Sequence, residues 1–285
     1  MKYRLLSIAV LIAAITFGGC IETQMLVTVN KDGSGTIRET VTMKKKVVES
    51  IREMSEQMKQ GAEEGGLQTE EEQKPFELFS DEEIRGNGEK LGTNVRYVSH
   101  GMIDEDDVEG YSATYAFDDI NTVKVNQNPG ASMPDMPGTE STDETDDALV
   151  LFSFTPGSSA KLVIRPPKMK EGEPDQADEV ESPETDQQQE EGEGGMEQMK
   201  DFFRDMRILV QVAVDGTITN TNASFVDGSV VTIMDVNFNS FLDDPELLKE
   251  LQKIETKGPA AAKELFQSVP GIRVELEEEI TVNFN

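Results

Sequence analysis

Alternating apolar and polar residues predict that most of the chain after residue 20 forms β-strands joined by tight turns. Residues 25–30 and 35–43 alternate at period two on either side of Lys31-Asp32-Gly33-Ser34, the pattern of a β-hairpin. A second hairpin is predicted for 148–155 and 161–165 around Pro156-Gly157. Further strands are predicted at 94–103, 110–117 and 121–125, in a meander of 208–214, 216–225 and 230–238, and in a last extended segment, 272–284.

Helical spacing of apolar residues interrupts this strand pattern at a few places. Residues 44–60 repeat apolar positions every three to four residues, and Ser80 begins a capping box for a short helix within 76–91. Asp243-Asp244-Pro245 is a typical helix start, for a helix that runs to about Thr256. Two further helices are predicted at 196–206 and 260–267. Helices inserted among hairpins and meanders predict an α+β fold, an antiparallel sheet with helices packed on one face.

Two polar stretches divide this predicted domain. Residues 128–147 are rich in proline and small polar residues, and residues 170–195 are acidic and nearly without apolar side chains. Neither can bury enough apolar surface to offset chain entropy, so both are predicted to be disordered. The domain then consists of 20–127, a hairpin at 148–169 and 196–285. The stretch 170–195 is either a solvated insertion, which the sequence favours, or an acidic segment for cations and basic partners.

The first twenty residues predict a lipoprotein signal. Lys2 and Arg4 precede an apolar run at 5–17, which is too short to span a bilayer comfortably. Phe17-Gly18-Gly19-Cys20 then places small residues before the only cysteine, so 1–19 is predicted to be removed and Cys20 lipidated. The alternative is a buried free cysteine after an uncleaved helix. Ile21-Glu22 after the cysteine resembles the sorting signal of outer-membrane lipoproteins, facing the periplasm or the surface.

Charge and composition exclude several function classes. The chain has 56 acidic against 26 basic residues and a net charge of −30, which opposes nucleic-acid binding. One histidine, one cysteine and the absence of nucleophile-elbow and phosphate-loop motifs predict no catalytic site, cofactor or disulfide. Chemistry by carboxylates alone stays open, although the chain has no tryptophan and only 6% aromatic residues to stack on sugars. The sequence therefore predicts a protein that is not an enzyme.

Two segments and one histidine could be taken for metal sites. Residues 30–35 imitate the start of an EF-hand loop, but Val41 stands where the bidentate glutamate belongs and the flanks alternate like strands. Residues 104–107 are four adjacent acids, more typical of a solvated tip between strands than of a hard-cation site. His100 lies in a strand-like run without a thiol or second histidine. No metal site is predicted.

Three segments resemble the LppM-type lipoprotein domain. They are the hairpin 25–43 (MLVTVNKDGSGTIRETVTM) after the cysteine, the strand 110–120 (GYSATYAFDDI) and the hairpin 222–232 (NASFVDGSVVT). The likeness covers 20–238, and Ile233 and Met234 stand where that family often has tryptophan. It implies an α+β, surface-anchored domain without known catalysis and with a role in lipid handling, and it supplies no site residues.

These observations favour a non-enzymatic, lipid-anchored envelope protein that binds an apolar ligand such as a lipid, or a partner protein. Methionines on the predicted helices, including Met54 and Met206, fit either a pliable apolar surface or ordinary packing. One alternative is an assembly lipoprotein that docks a partner through 243–267. The apolar helical face there would be formed by Leu247, Leu248, Leu251 and Ile254. The other alternative is an acidic surface protein that binds cations.

Overall fold

A computed structural model of the chain describes residues 20–65, 77–126, 149–167, 204–244, 246–247, 250 and 259–285. The predicted signal peptide (1–19) and the predicted disordered stretches (128–147 and 170–195) lie outside these residues. The strands are β1 (Ile21–Val29), β2 (Gly35–Lys44), β3 (Arg96–Asp104), β4 (Val108–Phe117), β5 (Lys124–Asn126), β6 (Leu149–Thr155), β7 (Ala160–Arg165), β8 (Arg207–Val214), β9 (Ile218–Thr221), β10 (Val226–Asp227), β11 (Val230–Asn237), β12 (Arg273–Val274) and β13 (Ile280–Phe284). The helices are α1 (Lys45–Gly65), α2 (Asp81–Lys90), α3 (Asn239–Leu242) and α4 (Pro259–Ser268), with a 3-10 turn at Ile120–Thr122.

The strands form two sheets that share one core. The first has the order β10-β11-β8-β1-β2-β4-β3, with β12 also paired to β11. All of its pairs are antiparallel except β1 with β8, which run parallel. The second sheet, β5-β6-β7-β13-β9, is antiparallel throughout. Val29 and Phe117 of the first sheet and Phe152, Leu162 and Phe284 of the second are buried in the same apolar cluster.

The turn between β1 and β2 depends on its glycines. Gly33 has φ of +88°, and a Cβ there would lie 2.7 Å from the Phe154 ring of β6. At Gly35 a Cβ would lie 1.9 Å from the Thr28 carbonyl oxygen, so the two strands approach too closely for any side chain. The glycines therefore serve the hairpin and its contact with the second sheet.

The helices begin where the sequence predicts caps. The hydroxyl of Ser80 accepts the Glu83 amide N–H at 3.2 Å and so caps α2. The Asp244 carboxylate accepts from the amides of Glu246 and Leu247 at 2.9 and 3.3 Å, the arrangement expected of a helix start. Most of the predicted helix up to 256, and 196–203 of another, lie outside the described residues. Helix α4 packs with α3 in a second, smaller apolar cluster that includes Val236, Phe241, Val269 and Ile272.

The α+β class with mostly antiparallel strands is confirmed, and four details of the prediction are wrong. The strands form two sheets instead of one, and β1 with β8 is a parallel pair. The predicted meander does not form, because β8 pairs directly with β11 while the intervening β9 joins β13 of the second sheet. The final segment, 272–284, is split between β12 in one sheet and β13 in the other. The packing of helices on one face stays a prediction.

Close backbone contacts at Gly216 accompany the missing meander. A Cβ on this residue would lie 2.5 Å from the carbonyl oxygen of Asn285, so the backbone after β8 runs close to the end of the chain. Thr217 and Asn285 exchange backbone hydrogen bonds of 2.9 and 3.1 Å. These contacts lead the chain into the second sheet before β10 and β11 return it to the first.

Candidate functional site

Cys20, the predicted lipidation site, directly precedes an interior strand. It is half-buried, and its carbonyl oxygen accepts the backbone N–H of Lys44 at 2.8 Å. The next residue, Ile21, is fully buried and begins β1, which is paired with β2 on one side and β8 on the other. The folded sheet therefore starts without a linker after Cys20. Its lipidation stays a prediction.

The lysines nearest to Cys20 are paired with carboxylates. The Lys44 ammonium lies 3.1 Å from Asp205, and that hydrogen bond raises the pKa of Lys44. The Asn239 amide and Lys44 in turn lower the pKa of Asp205. The Lys45 ammonium lies 2.7 Å from Asp104 at the end of β3. This end of the first sheet carries charges of both signs.

A buried carboxylate, Glu39, lies between the first sheet and α2. It shares one face of β2 with Ile37, Val41 and Met43, and only 3% of its surface is exposed. The Tyr111 hydroxyl donates to Glu39 Oε2 at 3.1 Å. The Tyr115 hydroxyl lies 3.4 Å from the same oxygen and 2.6 Å from the Ile84 carbonyl of α2. Asn87 of α2 donates to the Tyr111 hydroxyl at 3.4 Å.

Burial has the largest effect on the pKa values of this cluster. Loss of solvent raises the pKa of Glu39 above its ordinary value, although the hydrogen bonds from Tyr111, Asn87 and Tyr115 act in the opposite direction. Burial, together with the charge of Glu39, also raises the pKa of both tyrosines. The cluster therefore contributes hydrogen bonds between α2 and the sheet and favours a neutral carboxyl.

The variant Glu39→Gln tests this assignment through pH. Because the folded-state pKa lies above the unfolded value near 4.5, the unfolded chain ionises first. The contribution of Glu39 to stability is thus complete below that pH and is lost as the pH rises through the folded pKa. Glutamine cannot ionise, so we expect the variant to gain stability relative to the natural chain as the pH rises above 4.5. Urea unfolding across that range measures the difference, and a pH-independent difference would contradict it.

His100 of β3 has partners at both ring nitrogens, and one of them joins the strand to α2. Nδ1 lies 2.8 Å from the Tyr97 hydroxyl and Nε2 lies 3.0 Å from Asp81 Oδ1. The Arg85 guanidinium lies 4.8 Å from the centre of the Tyr97 ring. An aspartate–histidine pair can activate a hydroxyl group. Here all of these side chains belong to α2 and β3, and the arrangement fastens the helix to the strand.

A network of charged side chains connects β1, β8 and β11. Arg207 donates to both carboxylate oxygens of Asp235, at 2.9 and 3.2 Å, and to Glu22 at 3.3 Å. Arg273 donates to Asp235 at 3.0 Å. Both carboxylates are almost completely buried, whereas the Arg207 side chain is 31% exposed. The network links β1, β8, β11 and β12 through side chains.

The two segments that imitate cation sites in the sequence, 30–35 and 104–107, make other contacts in the structure. Asp32 accepts from the backbone N–H and the hydroxyl of Ser34 at 3.0 and 2.6 Å, which stabilises the hairpin turn and lowers the pKa of Asp32. Asp104 pairs with Lys45. Among the residues that the structure describes, no group of three or more histidine, cysteine, aspartate or glutamate side chains could hold a metal ion.

A cleft of about 670 Å³ lies between the end of α2 and the second sheet. Polar residues make up most of its lining, which comprises Glu89, Gly92, Thr93, Asn94, Val95, Asn121, Thr122, Val123, Lys124 and Leu151. Backbone hydrogen bonds between Thr93 and Thr122 and between Lys124 and Leu91 cross its floor. No helix in the described parts of the chain is both long and apolar enough to cross a membrane.

Comparison with known proteins gives one weak likeness. No protein family matches the sequence, and no curated protein matches it. The folded domain of LppM from Mycobacterium tuberculosis, solved by NMR, aligns with 77% of this chain and 84% of its own at 12% identity and a TM-score of 0.29. The resemblance inferred from the sequence thus has a weak structural counterpart, and no conclusion about function rests on it.

Sequence reasoning missed Glu39 and the Arg207–Asp235 pair, for different reasons. The signal for Glu39 was present, because period-two alternation in β2 places it among Ile37, Val41 and Met43. No comparable signal existed for Arg207 and Asp235, whose pairing depends on the sheet order. The sequence places His100 in a strand. Its partner Asp81 belongs to α2, and the strand pattern does not show where that helix packs.

Proposed function

We propose that the chain is a non-enzymatic lipoprotein of the bacterial cell envelope, which holds an α+β domain directly at the membrane and binds a partner protein there. The observation that carries the proposal is the absence of a linker between Cys20 and β1. A lipid on Cys20 would hold the end of the first sheet that contains Lys44, Asp104 and Arg207 against the headgroups. The sorting pattern at Ile21-Glu22 favours the outer membrane.

We favour a partner protein over an apolar ligand because large buried side chains occupy the described core that the two sheets share. Tyr115, Phe117 and Phe284 are among the largest buried residues, and they belong to the apolar cluster that the two sheets share. Six of the ten residues that line the cleft near α2 are polar. Glu39 and His100, the groups best suited to acid–base chemistry, bond to neighbouring side chains of the fold, which supports a binding role.

The two alternatives receive less support. Leu247, the described member of the apolar face proposed for docking through 243–267, packs against the chain's own second cluster. Leu248, Leu251 and Ile254 lie outside the residues whose side chains are described. Cation binding would require clustered ligands, and Asp104 is engaged in an ion pair with Lys45. Glu22 and Asp235 are engaged with Arg207.

The variant Cys20→Ala tests the anchor. We expect the natural chain, expressed in a bacterium with its own first nineteen residues, to sediment with membranes and to carry lipid on Cys20 in its intact mass. The variant cannot form the thioether, so it should remain uncleaved or leave the lipid-modified fraction entirely.

The matched control is Ser34→Ala, an exchange of similar size in the β1–β2 turn, which should leave the lipid modification unchanged. An unmodified Cys20 in the natural chain, or equal lipid content in the Cys20→Ala variant, would contradict the proposal.

A further inference from the structure

The strand β3 forms one edge of the first sheet. It is nine residues long and, among the described strands, pairs only with β4. A bulge between Tyr97 and Ser99 interrupts the pairing near its start. Beyond the bulge the strand is regular to Asp104, and 97–103 contains no lysine or proline, the residues that commonly protect an edge from pairing.

The hairpin that follows identifies the backbone groups that face outward. The Glu105 N–H donates to the Val108 carbonyl at 3.0 Å, which closes a two-residue turn. In an antiparallel ladder, hydrogen-bonded and non-bonded positions alternate from such a pair. Ser99, Gly101 and Ile103 therefore bond to β4, whereas the backbone N–H and C=O groups of His100, Met102 and Asp104 point away from the sheet.

Apolar and acidic groups flank this edge. Met102 is 54% exposed and Val98 is 55% exposed, two of the most exposed large apolar residues in the described chain. Acids lie at two places along it: residues 104–107 form the hairpin tip, and residues 81–83 form the first turn of α2, which His100 ties to the middle of β3. The nearby cations Lys45 and Arg85 already contact Asp104 and the Tyr97 ring.

We propose that the β3 edge binds an extended basic segment of a partner protein, which adds a strand to the first sheet. Main-chain hydrogen bonds to His100, Met102 and Asp104 would provide the pairing, apolar side chains would cover Met102, and lysine or arginine would meet the acids. A second copy of this chain fits less well, because it would bring the same acids together. The inference rests on the proposed partner-binding function and names the chemistry of the partner.

The test uses the full chain, purified from bacterial membranes in detergent, and a fluorescent ten-residue peptide of alternating lysine and valine. Two control peptides have glutamate in place of lysine, or N-methyl groups on alternate backbone nitrogens. We expect the lysine peptide to bind and to slow hydrogen exchange at His100, Met102 and Asp104. Neither control peptide should bind. The glutamate peptide carries negative instead of positive charge, and the N-methylated peptide lacks backbone donors.

Variants of the edge separate pairing from charge. Met102→Pro removes an outward N–H without removing a bond to β4, and Met102→Lys places a like charge against the peptide. Each should weaken binding about tenfold or more. Val226→Lys, the same charge change on the opposite edge of the sheet, should leave binding unchanged. Slow exchange at the Ser112 amide checks that β3 and β4 remain paired.

Several outcomes would overturn the proposal. These are no binding of the lysine peptide, equal binding of the N-methylated peptide, or equal losses in the Met102→Lys and Val226→Lys variants. A peptide-free dimer that protects β3 would assign the edge to a second copy instead. The intact mass of the same preparation reports the lipid on Cys20, so failure of the anchor is recognised separately from failure of the edge.

Discussion

The variant Phe117→Ala is expected to lose about 3–5 kcal/mol of unfolding free energy. Phe117 is 2% exposed at the end of β4, in the cluster that contains side chains of both sheets. Its ring lies so close to β2 that a Cβ on Gly35 would be 2.6 Å from it. The surrounding strands are held by their ladders and cannot collapse fully into the space that the ring leaves.

Urea denaturation followed by circular dichroism measures this loss. The matched control is Leu151→Ala, because Leu151 is a large apolar residue that is 46% exposed on β6. Its truncation should cost less than about 1 kcal/mol, since little apolar surface is lost. Similar losses for the two variants would show that the sheets do not share a core at Phe117.

The variant Asp235→Ala is expected to lose about 2–3 kcal/mol, because it removes the buried partner of two arginines. Arg207 would keep only its longer contact to Glu22, and Arg273 would lose its carboxylate contact. The full cost of an unpaired buried charge does not apply, since the Arg207 side chain is 31% exposed and water can reach it.

A surface pair of the same type provides the comparison. Arg96 and Asp118 form a two-pronged pair at 2.6 and 3.0 Å, but both side chains are more than half exposed. The variant Asp118→Ala should change the urea midpoint little, because solvent screens exposed pairs. Equal shifts in the Asp235→Ala and Asp118→Ala variants would contradict a structural role for the buried network.

Local sequence patterns were enough to predict the hairpins. The order of the strands in the sheets depends on long-range pairing, which those patterns do not show. The partners in β1–β2 and β6–β7 are joined by short turns, so alternation and turn residues were enough to place them. The β1–β8 pair joins Glu22 with Arg207, and β13 pairs with β7 and β9. Nothing local to these segments specifies their neighbours, so the sequence could not separate one sheet from two.

The same distinction applies to the candidate site. Cys20 was found from a local motif, and the structure adds that no linker follows it. Glu39 was predictable from its place on the apolar face of β2, whereas its contacts with Tyr111 and Asn87 require the sheet and α2 together. That β3 is an edge among the described strands follows only from the order of the strands.

The most direct test of the account is the depth of the domain relative to the membrane. Lys46 and Lys31 are both exposed, Lys46 beside the Cys20 end of the sheet and Lys31 in the turn after β1. The nine residues of β1 separate the two ends by about 27 Å. Each lysine is replaced by cysteine in the full chain, where a lipidated Cys20 cannot react, and is labelled with a fluorophore in vesicles that contain quencher lipids.

We expect strong quenching at position 46 and little at position 31, because the lipid on Cys20 holds the first end against the headgroups. Equal quenching at the two positions, or labelling of Cys20 itself, would contradict a domain that begins at its own lipid anchor.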